Sequence, residues 1–395
     1  MKVLIFSTYF LPVIGGVQTY VKLLAQGFSE WRGCEGERIE VTLATETPGT
    51  RADDAEFAYR VVRRPGLREL RELIGGSDVV FVAGPALLPM ALCWISAKPF
   101  VIEHHGYQAI CPNGLLFLQP EKTACPGYFS QRKFLRCFRC RAAEAGTMGA
   151  VRSMLLTFPR RWLSNRAAAN IAVSDHVRGR VGLERSCTIY HGIEDAAPSA
   201  TRRDADSLPR RGLEVAYVGR LVAEKGLPLL LQAARKLKDE GVPFHVTLIG
   251  DGPQRDELRA MMSKLEVEDR VTLAGEMRGE QLERALRGVS VVVMPSIWEE
   301  TAGFAAIEHM FRGGAVIAAD IGGLGEIVDG AGIKFRPHDW RALADCIRKL
   351  AENPAEAAAV GEVARRRALE TFTLERMVRE HVQALQAAAH SSSRA

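Results

Sequence analysis

The sequence predicts an α/β protein with two doubly wound domains, on the basis of three observations. Short apolar runs alternate with segments of helical periodicity along nearly the whole chain, which is typical of a parallel sheet covered by helices on both faces. The alternation stops between Tyr190 and Gly212, where large apolar residues are scarce, and then begins again. A chain of 395 residues is long enough for two such domains.

The first half contains the apolar runs expected of buried strands. The predicted strands are KVLIFST, IEVTLATE, DVVFVAG, PFVIEHH, ANIAVS and CTIYHGI. Between the first two, VQTYVKLLAQGF repeats apolar residues at the spacing of a helix. This order of elements predicts a first doubly wound domain.

The second half repeats the pattern. The predicted strands are LEVAYVGR, FHVTLIG, RVTLAG and VSVVVMPS, and the predicted helices between them are LPLLLQAARKLKDEG, PQRDELRAMMSKL and QLERALRG. Residues 289–328 are expected to form a strand, a loop, a short helix, another strand and a Gly-rich turn. Three further helices are predicted after Phe335.

These patterns give a domain division. We expect an N-terminal domain over residues 1–193, with a Cys-rich basic insertion at about 106–166, and a linker over 194–212. A second domain is expected over 213–370, followed over 371–395 by a helix that packs back on the first domain and a frayed tail. Ligands of doubly wound sheets bind outside the carboxyl ends of the strands, so the predicted site is a cleft between the domains.

Composition narrows the class of protein. With 47% hydrophobic and 25% charged residues the chain resembles a soluble protein, and its apolar runs are far shorter than the ~20 residues of a membrane span. The start, MKVLIFSTYFLPVIGG, reads as a first strand and not as a signal peptide. We therefore expect a cytoplasmic protein whose eight cysteines form no disulfide framework.

Positive charge is concentrated between Lys122 and Arg166. Ten cations stand there against one anion, Glu144, a net charge of 10 − 1 = +9 compared with +5 for the whole chain. Apolar residues lie between these cations, which suits an anionic membrane surface at the inner face of the membrane or an anionic acceptor. The alternative is a solvated helix face with a lid loop. No nucleic-acid-binding module or stacking platform is visible, so nucleic acid is not an expected partner.

Four cysteines lie within a stretch of thirty residues that overlaps this basic segment. Cys111, Cys125, Cys137 and Cys140 include one C-x-x-C and could ligate a structural zinc ion in a tetrahedron, although their spacing matches no standard zinc finger. The alternative is a set of unconnected buried thiols.

Two glutamates eight positions apart mark the candidate site of the second domain. Glu300 closes the loop after VSVVVMPS, and Glu308 lies in the following helix beside an apolar stripe that includes Ile307. A carboxylate against an apolar face must be paired, protonated or hydrogen-bonded. Both could serve in capping and core hydrogen bonds, or both could accept hydroxyl protons from a ribose or a hexose.

Two features near these glutamates favour a phosphate-binding site. Thr301, Ala302 and Gly303 place small side chains at a helix start, where unpaired amides bind anions. Arg220 and Lys225 flank the turn after the first strand of the second domain, as expected of a diphosphate site. The alternative for this pair is a solvated surface turn.

The first domain offers weaker signals. Gly15 and Gly16 precede the first helix, either as an approach point for a ligand or as a turn that needs positive φ. His105 ends the strand PFVIEHH, as a base, a hydroxyl-binding group or a structural histidine. Glu46 ends the second strand, but the G-x-G-x-x-G fingerprint is absent, which disfavours NAD. Gly250, in the turn LIGDGP, is included among the expected donor-binding residues.

Several motifs together resemble retaining glycosyltransferases of family 4. They are GGVQTYV, YVGRLVAEKG, LIGDGP and the E-x7-E segment PSIWEETAGFAAIEHMF with the following Gly-rich stretch. The similarity covers nearly the whole chain. It implies the GT-B fold, in which two Rossmann-like domains face each other across a cleft. HGYQAICPNGLLF and the later C-x-x-C resemble a subgroup with a Cys-rich insertion in the N-terminal domain.

The resemblance implies roles for residues of the second domain. Glu300 would contact hexose hydroxyls of the donor, and Glu308 would bind the ribose diol. Arg220 and Lys225 would hold the diphosphate, with the amides of residues 302–303 nearby.

In the first domain, the resemblance implies that Gly16 approaches the donor. His105 matches the histidine of the family's H-D segment, but Gly106 stands where an aspartate is common. Gln18 likewise stands where many members have glutamate.

The implied activity is retaining transfer of a hexose-type sugar from a nucleoside diphosphate to an acceptor hydroxyl, with Arg220, Lys225, Glu300 and His105 as catalytic residues. The acceptor would be a saccharide, a lipid-linked saccharide or a small molecule, in polysaccharide, glycolipid or other glycoconjugate biosynthesis. No cofactor is expected, and no metal at the diphosphate. The alternatives are a nucleotide-sugar epimerase on the same fold and an NAD-dependent oxidoreductase.

Overall fold

A computed structural model of the chain describes residues 1–13, 15–33, 36–195 and 212–392. Most of the predicted linker and the last three residues of the predicted tail lie outside the described residues. The chain divides into two compact units. Unit 1 comprises Met1–Pro120, Cys125–Glu194 and Phe372–Ala395, and unit 2 comprises Glu121–Ala124 and Asp195–Thr371.

The six strands and the helix predicted in the first half are all present, and the described residues add three strands and five helices that were not predicted individually. The strands are β1 Lys2–Ser7, β2 Glu40–Thr45, β3 Arg60–Arg63, β4 Val79–Ala83, β5 Phe100–His104, β6 Phe117–Leu118, β7 Thr123–Ala124, β8 Ala169–Ala172 and β9 Ser186–Thr188. The helices are α1 Gly16–Glu30, α2 Arg51–Asp54, α3 Leu67–Gly76, α4 Leu87–Ile95, α5 Phe134–Ser164 and α6 Asp175–Val181.

The second half has the same alternation. Its strands are β10 Leu213–Val218, β11 Phe244–Ile249, β12 Val271–Gly275, β13 Val291–Met294, β14 Ala315–Ala319 and β15 Ile333–Phe335. Its helices are α7 Leu227–Asp239, α8 Arg255–Lys264, α9 Gly279–Leu286, α10 Phe304–Phe311, α11 Gly322–Ile327, α12 Trp340–Glu352, α13 Pro354–Thr371 and α14 Leu374–Ser392. A single 3₁₀ turn, Ala223–Lys225, precedes α7.

Within the described residues each unit is organised by one parallel sheet. Unit 1 has the strand order β3-β2-β1-β4-β5-β8-β9, and unit 2 has the order β12-β11-β10-β13-β14-β15. The central strands are apolar on both faces because helices cover both, and β4, β5 and β14 are buried along their whole length. These are two doubly wound α/β units, which confirms the predicted fold class.

The last helix, α14, lies in unit 1 and packs against α1. Gly27 makes this close contact between the two helices possible, because a Cβ added there would lie 2.3 Å from the Val378 side chain. The helix also lies against β4 and β5, where its apolar face contributes to the core.

Three local predictions were wrong or incomplete. The expected Gly-rich turn after β14 is the short helix α11, because Gly322, at φ 63°, is followed by residues with helical backbone geometry. Strand β3 was not predicted, since RVVR carries a charged residue at each end and is only four residues long. The strand predicted over CTIYHGI is limited to Ser186–Thr188.

Candidate functional site

The sheet of unit 2 has a switch point between β10 and β13, where the strand order reverses. The chain runs outward from β10 through β11 to β12, returns, and continues from β13 on the other side of β10. In such a sheet the ligand crevice lies at the carboxyl ends of the two strands where the order reverses. The loop after β10 carries Arg220 and Lys225, and the loop after β13 carries Glu300.

Lys225 and Glu300 meet at this point. The Lys225 Nζ lies 2.9 Å from Glu300 Oε1, and the two side chains are 19% and 4% exposed. The same carboxylate oxygen accepts a hydrogen bond from the Ser296 hydroxyl. The structure thus brings together two residues predicted from separate motifs, and it adds Ser296, which the sequence analysis missed.

Backbone packing explains why these side chains meet. Gly226, at φ 66°, lies against the end of β13, since a Cβ there would come within 2.1 Å of Pro295 O. The Ile297 amide also donates to Glu224 O at 3.0 Å, which fixes the loop after β13 beside the 3₁₀ turn. On the other side, the Gly323 amide donates to Glu300 O at 2.6 Å. The glycines around Lys225 and after β14 therefore position the Glu300 backbone.

Arg220 is the accessible cation of the pair. Its side chain is 75% exposed, and its guanidinium lies 3.5 Å from Glu224 Oε1, a surface contact that is worth little in free energy. The Tyr217 hydroxyl donates to Arg220 O at 2.7 Å, which fixes the backbone of the turn. Burial, and then the nearby Glu300 charge, raises the pKa of Tyr217, so this hydroxyl stays protonated. An exposed guanidinium on a fixed turn can bind an anionic ligand without losing a protein partner of consequence.

The loop before α10 has the predicted character of an anion site. Helix α10 begins at Phe304, with Gly303 at its N-cap, no side-chain cap and no acidic residue in its first turn. A Cβ on Gly303 would lie 2.9 Å from the Leu324 side chain, so packing requires the small residue there. Thr301 and Ala302 are half-buried. An uncapped helix start of this kind favours a negative group from a ligand.

Glu308 is a half-buried carboxylate on α10. Burial raises its pKa, an effect that Arg312 opposes and Glu283 reinforces. Arg312 donates to the main-chain oxygen of Glu308 at 3.1 Å and pairs with the Glu283 carboxylate. Within the described part of the chain, the Glu308 carboxylate makes no hydrogen bond or ion pair, so it remains available to a hydroxyl donor.

Gly250 has a structural explanation of its own. Its φ is 142°, and a Cβ there would come within 1.9 Å of Gly219 O. The ends of β10 and β11 therefore approach each other through glycine backbone, and the Gly219 amide donates to Ile249 O at 3.0 Å.

In unit 1, the strand order reverses between β1 and β4, and Gly15 and Gly16 lie at the start of α1 after β1. The proposed turn with positive φ is not present, because Gly15 is extended at φ 178° and Gly16 is not among the positive-φ glycines. No atom lies within 4 Å of a Cβ built on Gly16. Neither backbone strain nor packing within the unit requires glycine at position 16, which leaves ligand approach as an explanation.

The two histidines that follow one another at the end of β5 have different environments. Successive side chains of a strand point to opposite faces. His104 is buried with its Nε2 3.0 Å from Asn170 Oδ1, and burial lowers its pKa to about 4 despite that hydrogen bond. His105 points the other way with Glu103, and its Nε2 lies 3.2 Å from Glu103 Oε2. His104 is therefore a structural histidine, whereas His105 belongs to a polar cluster.

Glu103 is the centre of this cluster. Its carboxyl is fully buried, and its Oε1 accepts a hydrogen bond of 2.8 Å from Tyr20 and lies 3.4 Å from the Nε2 of His381 on α14. Burial alone would raise the pKa of Glu103, but His105 and His381 hold it below its ordinary range. His191 Nε2 lies 3.4 Å from His105 Nδ1, and burial together with the His105 charge lowers the pKa of His191 to about 3. The carboxylate is therefore ionised among three imidazoles.

The sequence analysis missed this cluster beyond His105. A signal was present: Glu103 is the one charged residue in the strand PFVIE, and a buried strand does not carry a carboxylate without partners. Two of those partners, Tyr20 and His381, are far from Glu103 in sequence, so spacing could not identify them.

Two groups of described residues bear on metal binding. The ligand atoms of Glu103, His105 and His191 lie within 4.8 Å of one another, close enough to share a cation. Glu103 Oε1 already contacts Tyr20 and His381, whereas Glu103 Oε2 and His105 Nε2, 3.2 Å apart, are buried and form no hydrogen bond with the described residues. The four clustered cysteines are reduced thiols that line one cavity, but their sulfur atoms do not meet the same distance limit.

Comparisons with known proteins bear on the fold and on the second half of the chain. Residues 200–367 match the family model of Glycosyl transferases group 1. The 2-deoxystreptamine glucosyltransferase of Streptomyces kanamyceticus is 27% identical over 226 residues, which are 53% of this chain and 58% of that protein. The alpha-D-kanosaminyltransferase of the same organism is 33% identical over 203 residues, 48% of this chain and 52% of that protein. The chain thus spans about half the length of these curated relatives.

Solved structures match over the whole chain. Anabaena Alr3699/HepE in complex with UDP has a TM-score of 0.72 at 19% identity, covering 98% of this chain and 100% of that one. Sucrose-phosphate synthase from Thermosynechococcus elongatus has a TM-score of 0.70 at 19% identity, covering 99% of each chain. The chain therefore has the GT-B fold, and its residues 200–367 match the group 1 glycosyl transferase family.

Proposed function

We propose that the chain is a retaining glycosyltransferase that moves a hexose-type sugar from a nucleoside diphosphate to an acceptor hydroxyl. The observation that carries this proposal is the buried contact of Lys225 with Glu300 at the switch point of the unit 2 sheet. A cation and a carboxylate fixed beside an exposed arginine and an uncapped helix start are suited to a ligand with both phosphates and hydroxyls. We assign donor binding to unit 2 and acceptor binding to unit 1.

In this proposal the cations of unit 2 stabilise the leaving diphosphate. Arg220 contributes two donors to phosphate oxygens, and Lys225 contributes a point charge that Glu300 and the packing of the loop hold in place. With the amides at the start of α10, they supply the positive charge that a metal ion supplies elsewhere. Donor turnover should therefore persist in the presence of a chelator.

The carboxylates recognise the sugars. Glu300 has one oxygen occupied by Lys225 and Ser296, and we assign its other oxygen to hydroxyls of the hexose. Glu308, with no protein partner among the described residues, is assigned to the ribose diol. In unit 1, Glu103 orients His105, whose imidazole would serve as a base or bind a substrate hydroxyl.

Transfer with retention would take place on one face of the sugar. The bond from the anomeric carbon to the phosphate oxygen breaks as the acceptor oxygen bonds to the same face of that carbon. The acceptor proton passes to the phosphate oxygen that leaves. The chain needs to stabilise charge on the diphosphate in this route, which Arg220 and Lys225 are placed to do.

The test is donor turnover with the stereochemistry of the product. Purified protein would be incubated with UDP-, GDP- and ADP-hexoses in EDTA, with a panel of saccharide and lipid-linked acceptors, and the anomeric configuration read by NMR. UDP-glucose is the first donor to try, since Alr3699/HepE is described in complex with it. We expect acceptor-dependent turnover and an unchanged anomer. Inversion would overturn the retaining mechanism, and conversion of the sugar without an acceptor would favour the epimerase.

We further propose that unit 1 docks on an anionic membrane at the inner, cytoplasmic face. None of the described helices is long and apolar enough to cross a bilayer. Helix α5 instead carries exposed apolar residues at alternating spacings of three and four, which is one face of a helix. They are Met148, Val151, Leu155, Phe158 and Trp162, exposed by 80%, 41%, 64%, 47% and 41%.

Cations and a second helix extend this face. Trp94 on α4 contacts Trp162 edge-on at 4.9 Å, and Ile95 beside it is 71% exposed. Arg160 and Arg161 are on the same helix, and the Arg166 guanidinium lies 3.4 Å from the centre of the Trp162 ring. An apolar stripe with flanking cations is the arrangement of an interfacial helix.

Vesicle co-sedimentation tests this docking surface. Wild-type protein should sediment with vesicles that contain phosphatidylglycerol and not with neutral vesicles, and Leu155→Gln with Met148→Gln should weaken binding. Leu369→Gln is the matched control, because Leu369 is also an exposed leucine, at 43%, on α13 of unit 2. Equal binding of all variants, or no binding to anionic vesicles, would contradict the proposal.

A further inference from the structure

We propose that Cys111, Cys125, Cys137 and Cys140 bind a structural zinc ion that holds the segment after His105 in its folded form. The proposal does not depend on the assigned activity. It begins with an observation that spacing alone could not give. The four thiols of this segment are all buried and line a single small cavity in unit 1, and because their sulfur atoms do not all lie within 4.8 Å of one another, an ion would have to draw the side chains together.

The elements that bring the cysteines together are of two kinds. Cys137 and Cys140 lie one turn apart near the start of α5, so both thiols lie on one face of the helix. Cys111 and Cys125 come from the irregular segment before the helix. The chain positions follow C-x13-C-x11-C-x2-C, in which one close pair and two distant ligands form one site.

The cavity suits one ion and no organic ligand. Its space holds little more than a water-sized sphere, and its other lining residues include Asn113, Phe117 and Tyr128. A set of four thiolates with no neighbouring carboxylate selects a thiophilic ion that accepts tetrahedral geometry, which is zinc before magnesium or calcium.

Neighbouring polar groups match a thiolate site. The Asn113 amide donates to Cys140 Sγ at 3.7 Å and to Phe117 O at 2.8 Å, so it is held in place to donate to sulfur. Arg180 donates to Cys125 O at 2.6 Å, and Arg141 lines the cavity while pairing with Glu144 at 2.6 Å. When four thiols each release a proton to bind Zn²⁺, the complex carries a net charge of −2, which Arg180 would partly offset.

The segment also needs a cross-link. Between Gly106 and Lys133 the described secondary structure is limited to β6 and β7, of two residues each. An irregular stretch of this length inside a compact unit is uncommon unless something fixes it. Since it follows His105 directly, zinc would also fix the backbone beside that histidine.

The experiment measures metal in the intact chain. Protein purified without a His tag from zinc-replete medium would be analysed by elemental mass spectrometry, and we expect about one zinc per chain. Replacement by Co²⁺ should give thiolate-to-metal charge-transfer bands in the near ultraviolet and the visible bands of a tetrahedral site. A chain with less than about a tenth of an equivalent of zinc and no cobalt bands would overturn the proposal.

Variants assign the ligands. Cys137→Ser with Cys140→Ser should abolish the cobalt bands, and Cys187→Ser and Cys346→Ser, outside the cluster, should leave zinc at the wild-type level. Should the double variant fail to fold, the wild-type thiols would be titrated with a mercurial, and zinc should be released as four cysteines react.

Zinc retained in the double variant but lost in Glu103→Gln would assign the metal to the Glu103 cluster and contradict the proposal. A disulfide among the four cysteines would also contradict it.

Discussion

The two units place very different chemistry at the carboxyl ends of the same kind of parallel sheet. In unit 2 the switch point has one exposed cation, a nearly buried ion pair and an uncapped helix start. In unit 1 the strand order reverses between β1 and β4, but the polar cluster lies at the end of the next strand, β5, where the fully buried Glu103 is surrounded by Tyr20 and histidines. The first set of groups is suited to an anion, and the second is suited to holding an imidazole. The fold thus determines where each site lies, and local residues determine what it binds.

Loss of Lys225 should have the largest effect. Lys225→Met removes a charge from the diphosphate and leaves Glu300 buried without its cation, so we expect kcat/KM to fall by about 10²–10³-fold and the melting temperature to fall. Steady-state kinetics and thermal unfolding measure the two effects. Lys238→Met is the control, because Lys238 forms an exposed ion pair of 2.7 Å with Asp269 in the same unit. Activity near that of wild type would remove Lys225 from the site.

Arg220→Ala should separate binding from stability. We expect kcat/KM to fall by about 10²-fold with an unchanged melting temperature, because the guanidinium is 75% exposed. Arg220→Lys should restore only part of the activity, since an ammonium group cannot form the two-pronged contact. An equal loss in both variants would show that the guanidinium geometry, and not positive charge alone, is required, and no loss in either would refute the assignment.

Glu103→Gln tests whether the unit 1 cluster matters for turnover. The amide keeps the size of the side chain but removes the charge beside His105, so we expect roughly a tenfold loss in kcat with little change in donor KM, below the loss of an acid–base group. The pH profile of kcat should also shift. A variant that loses stability but keeps the wild-type kcat and pH profile would limit Glu103 to a structural role.

Glu308→Gln should have a smaller effect on donor binding. Loss of a charged acceptor for the ribose diol is expected to raise donor KM by about tenfold and to leave kcat nearly unchanged. Competition by the nucleoside diphosphate against the donor measures the same contact without turnover. An unchanged inhibition constant would show that Glu308 does not contact the nucleotide.

The smallest expected effect concerns acid stability and is specific to unit 1. The pKa values of His104 and His191 are lowered from 6.5 to about 4 and about 3, so between these limits the unfolded chain binds protons that the folded chain does not. Stability should therefore fall as pH drops below 6.5, by at most about 1.4 kcal/mol per pH unit for each group. His191→Asn should reduce the slope of the urea midpoint against pH, and His338→Asn, at an exposed site, should leave it unchanged. An identical slope in all three proteins would contradict this account.

The sequence predicted unit 2 better than unit 1 for a physical reason. Arg220, Lys225, Glu300 and Gly303 lie in short loops next to strands, so their motifs are local and their meeting point follows from the sheet. The Glu103 cluster instead depends on His381, which lies on the last helix and reaches the cluster through packing against α1. The four cysteines were visible in the sequence, but their shared cavity required the fold.

The central claim is that unit 2 binds a nucleoside diphosphate without a metal ion. Thermal unfolding in EDTA with UDP, GDP or ADP tests it most directly, because a ligand at 100 times its Kd stabilises the native state by about 2.7 kcal/mol. We predict that at least one nucleotide raises the melting temperature of the wild-type chain and that Arg220→Ala loses most of the increase. No increase with any of the three nucleotides, or an equal increase in Arg220→Ala, would contradict the claim.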